Sequence, residues 1–61
     1  MKVGNLAKYR FKTGRREFTG LGVVIFIGER DDFGIRCKVF FPSGFLLVDF
    51  VDNFEVICES R

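Results

Sequence analysis

Hydrophobic and polar positions alternate most plainly at residues 35–41. There Ile35, Cys37, Val39 and Phe41 take turns with Arg36, Lys38 and Phe40. A period of two marks a strand with one face on a core, so this spacing predicts a half-buried strand with Phe40 on its polar side. Residues 21–28 read Leu-Gly-Val-Val-Ile-Phe-Ile-Gly. The stretch is β-branched and too apolar for one wet face, which predicts a central strand covered on both faces for part of its length. Gly20, Gly22 and Gly28 allow it to bend. Lys2–Phe11 predicts a first strand entered through Gly4. The polar, basic stretch 11–20, with Gly14 inside it, predicts a long loop or a splayed hairpin. Residues 29–34 form a charged turn, and Pro42-Ser43-Gly44 a tight turn with Pro suited to its second position. Phe45–Phe50 is the next strand, Val51–Asn53 one turn of 3₁₀ helix, and Phe54–Cys58 the last strand. Residues 59–61 are expected to fray.

Five strands with short connections, a long first loop and a 3₁₀ turn before the last strand predict an all-β, SH3-like five-stranded small barrel. It is expected to occupy residues 1–61 as a single domain. The opening Met1-Lys2-Val3-Gly4-Asn5-Leu6-Ala7-Lys8 is similar to the Lys-Val-Gly-Asp-Leu-Val-Lys start of many short SH3-like barrel proteins. Such proteins are common among the small reading frames of tailed bacteriophages, including those of marine cyanobacteria. Gly20-Leu21-Gly22-Val23-Val24 resembles their entry to the second strand, and residues 47–57 their closing strand-turn-strand. The chain departs from them in having Asn5 for the usual Asp and in lacking Trp. The resemblance implies the fold and no activity, because this barrel hosts many unrelated functions.

Composition narrows the chemistry. There is no His among the 61 residues, so Ser43, Ser60, Cys37 and Cys58 lack an imidazole base. No CxxC pair or His-containing ligand set is present, and no metal or cofactor is expected. Asp32-Phe33-Gly34 matches a kinase triplet by chance and reads as a turn. Asp49, Asp52 and Glu55 are spaced by three, but a strand-turn-strand scatters them rather than gathering a cation site. A non-enzymatic chain with no small-molecule substrate is therefore expected. The absence of an apolar leader, of an 18-residue apolar run and of a disulfide pattern predicts a cytoplasmic protein without a membrane partner.

Two binding readings remain. The chain is 48% hydrophobic with nine Phe, while a domain of this length buries only about 60% of its unfolded surface. Surplus aromatics should lie outside and meet a protein, with a second copy of the chain as a candidate. Phe33, Phe40, Phe41 and Phe45 are the expected interface residues. The charge is also uneven. Residues 1–20 hold six Lys and Arg against Glu17 alone, whereas residues 21–61 hold four against seven carboxylates. This basic N-terminal segment makes Lys8, Arg10, Lys12, Arg15 and Arg16 candidate phosphate contacts for a nucleic acid, independent of sequence. A groove for proline-rich peptides fits less well, since the chain has no Trp and its first loop is basic.

Overall fold

The computed structural model describes residues 1–11, 18 and 20–58. Five strands form one open antiparallel sheet: β1 (Leu6–Tyr9), β2 (Leu21–Asp31), β3 (Gly34–Phe40), β4 (Leu46–Phe50) and β5 (Phe54–Cys58). Their order across the sheet is β4-β3-β2-β1-β5. Val51–Asn53 forms a 3₁₀ turn between β4 and β5, and no α-helix occurs among the described residues.

β2, at 11 residues, is the spine. Its first three residues pair with β1, and from Val23 onward it pairs with β3. The N- and C-terminal strands lie side by side, Lys8 opposite Glu55 and Tyr9 opposite Phe54. The first strand is shorter than the pattern of residues 2–11 suggests. Gly4, at φ 98°, turns the chain first. The buried Asn5 side chain closes that turn by accepting from the Lys2 N–H at 2.7 Å. β2 in turn runs three residues into the charged stretch. Asp31 ends it by accepting from the N–H groups of Phe33 and Gly34 at 2.8 and 3.1 Å, which closes a two-residue loop. The turn at Pro42 forms as its sequence predicts, with the Gly44 N–H donating to the Phe41 carbonyl at 2.9 Å.

The core is Ala7, Val24, Cys37, Val39, Phe41 and Phe54, with Tyr9, Phe18, Ile27, Leu47 and Val51 packed on it. Four of the six buried residues are small, and that leaves room for two Phe rings. Gly22 lies under β3 for the same reason. A Cβ there would come within 2.5 Å of Val39 Cγ1 and 2.9 Å of the Phe40 carbonyl.

Candidate interaction surface

Alternation on β3 sends Ile35, Cys37 and Val39 inward and Arg36, Lys38 and Phe40 outward. β4 follows in register, with Phe40 opposite Leu46, Lys38 opposite Val48 and Arg36 opposite Phe50. On its other side β3 meets β2, Phe40 opposite Val23 and Lys38 opposite Phe26. Val23 and Phe26 are three residues apart, so strict alternation would place them on opposite faces. A β-bulge between Val24 and Phe26 prevents this. The extra residue, Ile25, restores the outward phase, as bulges commonly re-aim side chains.

The outcome is an apolar outer face on three adjacent strands. One cross-strand row is Val23, Phe40 and Leu46, and the next is Phe26, Lys38 and Val48. The apolar members of both rows and Ile25 are all exposed, from 39% at Val23 to 51% at Phe26. Phe45, half exposed, precedes Leu46 in the turn before β4.

Charges border this face. The Lys38 ammonium lies 5.1 Å from the centre of the Phe26 ring, and the Arg36 guanidinium 5.1 Å from that of Phe50. Cations resting on ring faces keep their stems on apolar surface and their heads in water. Arg36 also bonds Asp31 at 2.9 Å. A shallow groove of about 270 Å³ runs along this border, lined by Phe26, Gly28, Glu29, Arg36, Lys38 and Val48 among others.

The interface expected from the sequence is partly rearranged. Phe40 lies on the outer face, and Phe45 is exposed just before β4. Phe33 is 80% exposed but stands at the tip of the β2–β3 loop. Phe41 is not on the surface. It is 0% exposed, with its ring against Phe18 at 5.6 Å between centroids. Its place in the inward row of residues 35–41 decides this. The expectation of cover on both faces of β2 is likewise corrected, since Val23, Ile25 and Phe26 face outward. Val23 and Phe26 went unrecognised because no sequence signal announces the bulge that aligns them, and Leu46 and Val48 because residues 45–50 are apolar at five of six positions and show no alternation. Of the basic candidates, Lys8 and Arg10 are exposed, while Lys12, Arg15 and Arg16 lie outside the described residues.

A polar cluster ties β1 to β4, three strands away in the sheet. Asp49 accepts from the Tyr9 hydroxyl at 2.6 Å, from the Phe50 N–H at 2.7 Å and from Asn53 Nδ2 at 2.8 Å. Burial raises the Asp49 pKa, but the three donors together hold its carboxyl below its ordinary value. The bond to Asp49, and then burial and the carboxylate charge, raise Tyr9. Burial first, and the Asp49 charge second, push the Cys37 thiol up to about 11. A thiol so protonated and enclosed is a poor nucleophile. Among the described residues, no group of three or more His, Cys, Asp or Glu is placed to hold a metal ion. No helix among them is long and apolar enough to cross a membrane.

Compared with protein-family models, curated proteins and solved structures, the chain gives no match.

Proposed function

We propose that this chain is a non-enzymatic interaction module built on an SH3-like barrel, and that the outer face of β2, β3 and β4 docks a protein. The observation that carries this reading is the continuity of the apolar rows. Val23, Phe40 and Leu46 are cross-strand neighbours, Phe26 and Val48 flank Lys38 in the next row, and a bulge in β2 brings Phe26 into phase with Val23. Scattered exposed apolar residues are ordinary on any protein surface, but a contiguous patch bordered by charge is the usual form of a docking site. The strand order, the pairing of the terminal strands and the 3₁₀ turn before the last strand support the barrel. The enclosed, protonated state of Cys37 supports a role without nucleophilic chemistry.

Photocrosslinking in producing cells tests the reading. A p-benzoylphenylalanine probe replacing Phe40 should give protein adducts, and the same probe replacing Phe33 should not. Adducts from position 33 alone would move the interface to the loop tip and overturn this assignment. The other reading, phosphate contact by Lys8, Arg10 and the basic first loop, predicts a different result. Oligonucleotide binding would weaken steeply between low and moderate salt, and Phe40 would not matter to it.

A further inference from the structure

We infer that the occupant of the outer face is a second copy of this chain, packed face to face about a two-fold axis that crosses the strands at the Val23–Phe40–Leu46 row. The inference rests on the docking reading above and names its partner.

Charge is the first argument. A face of one sign repels its own copy, whereas this one is balanced. Arg36 and Lys38 border it at one end with Glu29 and Asp31, and Lys8 borders it with Glu55 at the other. That is three cations against three carboxylates, although the whole chain carries +2. An axis across the strands sets the Arg36–Lys38 end of one copy on the far side of the axis from the same end of the other, so these cations do not stack on their counterparts. An axis along β3 would instead stack Lys38 on its own counterpart, which is unfavourable.

Shape is the second argument. In a two-fold contact a residue on the axis meets itself. Here those residues are Val23, Phe40 and Leu46, with Phe40 the middle of an otherwise aliphatic row, and aromatic residues at an interface centre commonly dominate its energy. Size is the third. The chain extends 30 × 28 × 17 Å, which leaves room on one side for a contact of ordinary size. A standard interface takes ~800 Å² from each partner. Three strands at a spacing of about 4.8 Å make an apolar centre ~15 Å wide, bordered by charge.

Sedimentation equilibrium of the full chain from ~1 μM to ~1 mM should show the mass rising from 7.0 kDa toward twice that value, at low and at high salt alike. Phe40→Asp should weaken the association by about 30-fold or more, as expected for a central anchor. Phe33→Asp should leave it unchanged. In the purified protein, the probe at position 40 should give a covalent dimer crosslinked within the Val23–Phe26 or Phe40–Val48 segments of the other copy. If the purified chain stays monomeric to ~1 mM while position 40 still yields adducts of another protein in cells, the second copy is overturned and the docking face stands. If position 40 yields no adduct in either setting, both fall. A dimer indifferent to Phe40→Asp would place the contact elsewhere and overturn the inference. Circular dichroism of Phe40→Asp should match the parent, because the residue is exposed; if it does not, Phe40→Ser replaces it in the same series.

Discussion

Asp49 connects residues that are far apart in the chain, and its environment sets how stability should depend on pH. Tyr9 and Asp49 lie 40 positions apart, one on β1 and one on β4. Tyr9→Phe deletes one donor and should cost about 1–2 kcal/mol, read as a lower urea midpoint with an unchanged slope. The folded-state pKa of Asp49 lies below its ordinary value of 3.8. Its contribution is therefore complete above that value and is lost as pH falls through the folded pKa. Tyr9 has the opposite sign. Its pKa is raised above 10.0, so its contribution holds below pH 10 and fades as pH climbs through the folded value. Asp49→Asn should flatten the acid limb of a stability–pH curve. The Cys37 thiol, enclosed and raised from 9.0 to about 11, should react with iodoacetamide at pH 8 only as fast as the chain opens. Peptide mapping after timed alkylation measures this. Prompt labelling of Cys37 would show that the core beneath β3 is open.

Within the strands, neighbouring residues on opposite faces should differ sharply in their effect on stability. Phe41→Ala empties the largest fully buried side chain and should cost ~3–5 kcal/mol, whereas Phe40→Ser should cost ~1 kcal/mol or less. Gly22→Ala should cost more than ~2 kcal/mol, because the Val39 methyl and the Phe40 carbonyl cannot both retreat. Urea titrations of the three variants check all three values. A large loss at Phe40 and a small one at Phe41 would mean that the register of β3 is reversed. That register was legible in the alternation of residues 35–41, as were the turn at Pro42 and the 3₁₀ turn before β5. What misled was a surplus count of aromatics, which drew Phe41 to the surface although its own alternation placed it inside. Such a count cannot see that Ala7, Cys37 and two Val make a core with space for two Phe rings. The outer face was illegible for a different reason. Val23 and Phe26 share it only because Ile25 is unpaired, and a bulge is a property of two strands together. The Tyr9–Asp49 bond likewise needs the pairing of strands from both ends of the chain.

For the whole molecule, the association proposed through the outer face must appear in the apparent stability. The Cα radius of gyration is 10.7 Å, close to the ~10.5 Å expected for a compact chain of this length. The single chain is thus already folded around its own core, and the proposed pairing would add to that fold without creating it. Whatever binds the native state and not the unfolded one raises the unfolding free energy with concentration, by ~2.7 kcal/mol when the partner stands at a hundred times its Kd. With a second copy as the partner, the urea midpoint of the parent chain should climb as protein concentration rises from ~1 to ~500 μM. The midpoint of Phe40→Ser should stay level. At the lowest concentration the two should nearly coincide, since an exposed Phe adds little to the monomer. Sodium sulfate strengthens apolar burial and should widen the gap at a given concentration, where a phosphate-type or ion-pair contact would weaken with salt. A parent midpoint independent of concentration would mean that the apolar rows are not covered by another copy in solution. A midpoint that climbs equally in both proteins would mean that the copies meet on a surface that excludes Phe40.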